Sequence, residues 1–110
     1  MQTHRAPRYT ADHAITAMRF WADTPIRKVH GTCRVLNEHG LGATIADQLY
    51  VGEVVRLELT PSLAVYASVR NVRNAFYGFQ FLFLSYPEQM SIRKICQSCT
   101  PLEKEPKPFS

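Results

Sequence analysis

The chain has 110 residues, 45% of them hydrophobic and 20% charged, with a formal net charge of +4. This composition excludes a disordered chain, and the length suits one domain with a single modest core. No run reaches the roughly 18 apolar residues of a membrane helix, and the polar, basic first residues do not resemble a secretory signal, so a cytoplasmic location is expected.

Residues 1–12 are polar, contain Pro7, and read as an extended arm carrying His4, Arg5 and Arg8. Residues 13–21 suit a first strand, which Pro25 is expected to interrupt because proline cannot donate to a ladder. Residues 28–35 alternate Val29, Gly31, Cys33 and Val35 with Lys28, His30, Thr32 and Arg34, the period of a half-buried strand. Residues 37–40 form a turn, with Asn37 and Gly40 suited to positive φ. Further strands are predicted at residues 41–45, 53–59, 63–73 and 76–84, with Tyr77, Phe79, Phe81 and Phe83 on one face of the last. The period then changes: Ile92, Ile95, Cys96 and Cys99 form one helical stripe, opened by Pro87 and Glu88. Residues 100–110 contain three prolines and balanced charge and are expected to be a disordered tail. Six strands with regular turn signals predict an all-β, six-stranded antiparallel barrel with one C-terminal α-helix. The barrel and its helix span residues 13–99, between the arm and the tail.

Catalytic patterns are missing. There is no GxSxG, no P-loop and no dinucleotide fingerprint, and the acidic residues are scattered over turns and outward strand positions. Three cysteines are too few, and odd in number, for a disulfide framework; Cys96 and Cys99 form a CxxC with no second pair for zinc. They read as core residues, and no catalytic residue, metal or cofactor is expected. The aromatics Trp21, Tyr50, Tyr66 and Tyr77 suit base stacking but do not interleave with basic residues, so no DNA or RNA partner is expected.

Arginine carries most of the positive charge, nine residues against four lysines. Its planar fork matches phosphate and the guanine edge. Pro7 holds Ala6 extended, so Arg5 and Arg8 project from a stiff strap able to grip an anion bidentately. The second polar feature is the turn of Asn37, Glu38, His39 and Gly40, with its amide side chain and backbone N–H groups.

In order and spacing, His4-Arg5-Ala-Pro-Arg8, then Val35-Leu36-Asn37-Glu38-His39-Gly40-Leu41-Gly42-Ala43, Leu49-Tyr50-Val51-Gly52, Ala67-Ser68-Val69-Arg70 and Tyr77-Gly78-Phe79-Gln80-Phe81 resemble a PilZ domain. The resemblance covers residues 4–99. That family has an RxxxR arm, a (D/N)xSxxG turn at a strand end, a long arginine-bearing strand and a C-terminal helix. The resemblance implies a bacterial receptor for cyclic di-GMP, with arginines on phosphate and guanine and the turn on the other guanine. Carried over, the ligand residues are Arg5, Arg8, Asn37 and Gly40, with His4 and His39 beside them. His4 stands where the first arginine is expected, Val35 at the acid or amide and Asn37 at the serine. A second register places Asn37, His39 and Gly42 in an N-x-H-x-x-G pattern. The family also has members with degenerate motifs that do not bind the dinucleotide and act through protein partners, which is the second function the resemblance implies.

Overall fold

A computed structural model describes residues 7–101. Its elements are β1 (Tyr9–Trp21), β2 (Thr24–Leu36), β3 (Gly40–Ile45), β4 (Val54–Thr60), β5 (Leu63–Arg73), β6 (Phe76–Leu82), α1 (Tyr86–Gln97) and β7 (Thr100–Pro101). Neighbouring strands run β2-β3-β6-β5-β4-β1, and β1 pairs again with β2, so the sheet closes into a six-stranded barrel. Every pairing is antiparallel. Closure removes the open edges that would otherwise invite pairing with other chains.

Alternation fills the barrel. Ile15 and Ala17 of β1, Val29 and Cys33 of β2, Val55, Leu57 and Leu59 of β4, Leu63, Val65, Ala67 and Val69 of β5, and Tyr77, Phe79 and Phe81 of β6 are all buried in one cluster. Among the described residues no charged side chain is buried with them.

The helix stops one end of the barrel. Ser85 caps it: its Oγ accepts from the Glu88 N–H at 3.2 Å, and Glu88 Oε1 accepts from the Ser85 N–H at 2.9 Å. This reciprocal box satisfies two orphan donors, and its loss costs on the order of 1 kcal/mol. Ile92 and Cys96 enter the core. Arg93 Nε lies 3.2 Å from Glu38 Oε1, which ties the helix to the β2–β3 turn. At the other end Arg19 binds Glu53 through two hydrogen bonds, 2.6 and 3.0 Å, and lies 3.6 Å from Asp47. Tyr77 OH donates to the Asp47 carbonyl at 2.9 Å and accepts from the Leu49 N–H at 3.1 Å, so its ring is core and not a stacking surface.

Several boundaries differ from the sequence reading, each for a local reason. β1 starts at Tyr9, not at 13, because Tyr9 and Thr10 pair with Leu36 and Val35 on one side and with Pro101 and Thr100 of β7 on the other. The arm assigned to residues 1–12 therefore enters the barrel at Tyr9. Thr100 and Pro101, assigned to the disordered tail, are held in that short strand; the rest of the tail lies outside the described residues. Pro25 does not break the strand: it sits opposite Phe20 beside a bulge at Ile26, next to the hairpin turn. Bulges and strand starts are where a sheet tolerates a residue without an N–H. Leu36 rather than Val35 is buried, because an extra residue at Arg34 reverses the inside–outside phase of β2. β6 ends at Leu82, and Phe83, with φ of 56°, is 88% exposed instead of sharing the Phe81 face.

All three cysteines are free thiols. Burial pushes the Cys33 thiol up to about 12, helped by Cys99 and Cys96, and the Cys96 thiol up to about 11, helped by Cys99 and the Glu38 carboxylate. The unfolded chain releases these protons near the ordinary thiol value of 9.0, whereas the folded chain keeps them. Stability on this account is intact below pH 9 and falls as pH rises through the folded values, since the unfolded state then binds fewer protons. Denaturant titrations between pH 9 and 11 should show a steeper loss for the wild-type chain than for Cys33→Ala; equal slopes would refute the assignment.

Candidate functional site

The helix-capped end of the barrel carries the β2–β3 turn and the start of β1, so the polar turn and Arg8 meet by topology. Asn37 organises the turn. Its Oδ1 accepts from the backbone N–H of His39 at 2.6 Å and of Gly40 at 2.9 Å, and its own N–H donates to the Gly40 carbonyl at 2.9 Å. The Asn37 oxygen and the Gly40 N–H are thus engaged inside the turn. Among the described residues the Asn37 Nδ2 donors have no partner.

Gly40 is required by close approach: a Cβ there would collide with the Phe79 carbonyl of β6. At Gly42 the ring of Phe76 lies where a Cβ would stand. These missing side chains leave a groove of about 570 Å³ across the outer face of β3, β6 and β5, lined by Arg8, Val35, Asn37, His39, Gly40, Leu41, Gly42, Arg70, Asn71, Phe76, Gly78, Phe79 and Gln80. Its floor is glycine backbone with an aromatic ring, and its polar groups are guanidinium, amide and imidazole. Among the described residues no carboxylate lines it. Arg19, Arg27, Arg34 and Arg93 form ion pairs with acids elsewhere. Among the described residues, Arg8 and Arg70 form none. Two uncompensated guanidiniums beside a flat floor make a site for an anion bearing a planar group.

Arg8, Asn37, His39 and Gly40 therefore lie together in one groove. His4 and Arg5 lie outside the described residues. Sequence reasoning did not assign Arg70, Asn71, Phe76 and Gln80 to the site. Arg70 and Gln80 stand within the motifs quoted above and face outward by ordinary alternation; what the sequence does not reveal is that β5 and β6 form a wall of the groove and that the register irregularity at Arg70 turns Asn71 outward as well. Val35 reaches the groove for the same reason: the extra residue at Arg34 turns it out of the core.

A second groove, about 740 Å³, runs between the helix and the barrel, lined by His13, Thr16, His30, Glu58, Leu59, Ile95 and others. It gathers two imidazoles and a carboxylate, with Glu58 Oε1 accepting from Thr16 Oγ1 at 2.6 Å, and among the described residues no arginine lines it. Its electrostatics do not favour an anion. Among the described residues no group of three or more His, Cys, Asp or Glu side chains is placed to hold a metal ion, and no helix is long and apolar enough to cross a membrane.

A closed six-stranded antiparallel barrel stopped by a C-terminal helix is the PilZ fold. The chain superposes on the PilZ domain of CeSA from a cellulose-synthesising bacterium with a TM-score of 0.65 and 17% identity, covering 87% of this chain and 97% of that one. It matches the PilZ domain of YcgR from Escherichia coli with c-di-GMP at a TM-score of 0.66 and 16% identity, covering 89% and 92%. It also matches the Bacillus subtilis inhibitor of motility MotI/DgrA at a TM-score of 0.67 and 16% identity, covering 89% of this chain and 51% of that one. No family model and no curated protein matches the chain.

Proposed function

We propose that the chain is a bacterial second-messenger receptor domain that binds cyclic di-GMP in the groove between the start of β1 and the outer face of β3, β6 and β5. The observation that carries this reading is the convergence of Arg8, Asn37 and His39 on a glycine-floored groove that no carboxylate lines among the described residues. A guanidinium meets phosphate or the O6/N7 edge of guanine, an amide meets the other purine edge, and the flat floor admits a ring. The E. coli YcgR domain of the same fold holds c-di-GMP, which supports the choice of ligand. On this reading the domain performs no chemical step, needs no cofactor and acts in the cytoplasm without DNA or RNA. Isothermal titration of the purified chain with cyclic di-GMP tests it. Saturable binding at micromolar or tighter affinity is expected, and a flat titration at high protein concentration refutes it.

A second reading is an adaptor that acts through protein contacts, and one feature favours it. β1 pairs with β4 only as far as Met18, and the β2–β3 pairing begins at Gly31, so the intervening hairpin runs on as a two-stranded ribbon. At its tip Trp21 is 76% exposed and Ile26 59% exposed. Exposed apolar residues of this size on a projecting element suit a protein interface. The double variant Trp21→Ser/Ile26→Ser is expected to abolish capture of a partner from the native host while leaving the dinucleotide titration unchanged. Equal capture by wild type and variant would remove the ribbon from consideration.

A further inference from the structure

The groove has two walls, and the arm and turn account for only one. The other is built from β5 and β6, and it contains an irregularity that ordinary barrel geometry does not require. Along β5, Val65, Ala67 and Val69 point inward and are buried, while Tyr66, Ser68 and Arg70 point outward. Strict alternation would turn Asn71 inward. Instead Val69 pairs with Phe79 and Asn71 with Gly78, so Arg70 is an extra residue with no partner on β6. The bulge puts two consecutive polar side chains, Arg70 and Asn71, on the outer face, and both line the groove. Bulges re-aim side chains in this way and are concentrated beside binding sites.

Three further details fit a ligand-directed role. Arg70 Nη1 donates to the side-chain oxygen of Gln80, which also lines the groove and lies opposite Gly40 on β3. That contact orients the guanidinium and uses only one of its five N–H donors. Among the described residues no carboxylate neutralises it. The Asn71 amide lies over Gly78, with Oδ1 2.6 Å from where a Cβ would stand, so the absence of a side chain at Gly78 is what admits it.

We propose that Arg70, joined on the outer face by Asn71 through the β5 bulge and steadied by Gln80, is a ligand-binding cation of the groove, holding the anion from the wall opposite the turn. This inference rests on the reading of the groove as the dinucleotide site. Arg70 is exposed and outside the core, so its replacement leaves folding intact.

The test is isothermal titration of cyclic di-GMP into the wild-type chain, Arg70→Ala, Arg70→Lys and Gln80→Ala, each at several salt concentrations, with thermal melts alongside. Arg70→Ala should weaken binding about tenfold or more and make the salt dependence shallower, because a screened charge contact has been removed. Arg70→Lys should recover the salt dependence but only part of the affinity, since an ammonium cannot make the forked contact. Gln80→Ala, which loosens a positioning residue, should cost a few-fold and keep the salt dependence. If the wild-type chain binds and Arg70→Ala stays within about twofold, the role of Arg70 is refuted while the receptor reading stands. Weaker binding by Arg70→Ala with an unchanged salt slope marks a structural effect and also refutes it. If the wild-type chain does not bind, the receptor reading itself falls and this inference with it.

Discussion

Replacing Arg8 with alanine is expected to weaken cyclic di-GMP binding by about tenfold to a hundredfold, the largest effect of any single change in the groove. Arg8 sits at the mouth of the site, just before β1, and is exposed. A charge-assisted hydrogen bond contributes roughly 1.5–3 kcal/mol, and each 1.4 kcal/mol is a factor of ten in affinity. Because Arg8 makes no ion pair with an acid among the described residues, the loss should appear in binding and not in the melting temperature. Titrations of Arg8→Ala and Arg8→Lys decide the matter. Lysine should fall between alanine and arginine, since it keeps the charge but not the fork. Unchanged affinity in Arg8→Ala would remove the anchor of the proposed function.

The largest effect on stability is expected at Ile92. Its side chain is fully buried, it belongs to the barrel cluster, and it carries the helix into the barrel end. Ile92→Ala removes three buried carbons and leaves a cavity that the closed barrel cannot collapse to fill, at a cost of about 2–5 kcal/mol. For a domain of this size that corresponds to a fall in Tm of roughly 10 °C or more. Ile92→Val should cost about 0.5–1.5 kcal/mol by the same argument. The loss should reach the groove, because the helix holds the turn through Arg93 and Glu38. Urea titrations of the two variants measure the effect, and a drop below about 1 kcal/mol for alanine would show that the helix is not part of the cooperative unit.

Local signals placed the strands well where nothing interrupted them. β5 runs from Leu63 to Arg73, as its apolar alternation after the Pro61 turn indicates. The helix follows from its stripe and its acidic first turn; Ile92 and Cys96 are buried, as the spacing requires. The misplaced side-chain directions fall at one-residue irregularities, whereas the earlier start of β1 and the strand at Thr100–Pro101 come from pairing between segments far apart in sequence. Arg34 and Arg70 are extra residues in their ladders, and Phe83 leaves the strand through a positive φ. A bulge costs the sequence no distinctive residue here, yet it reverses which side every later side chain faces. That is why Val35 reads as core and lines the groove, and why Asn71 does not read as part of a site.

The amino-acid sequence alone determined the class: a small all-β barrel closed by a helix, with arginine and a polar turn as its distinctive chemistry and no catalytic pattern. Those features follow from periodicity, turn residues and composition, which act over a few neighbouring residues. The tertiary structure decided which polar groups share a site. Arg8 and Asn37 lie on one wall, and Arg70, Asn71 and Gln80 on the other, because antiparallel closure brings β1, β2, β3, β5 and β6 together there and two bulges set the phase. Such convergence depends on pairing register between distant segments, and a one-residue slip moves a side chain from core to groove.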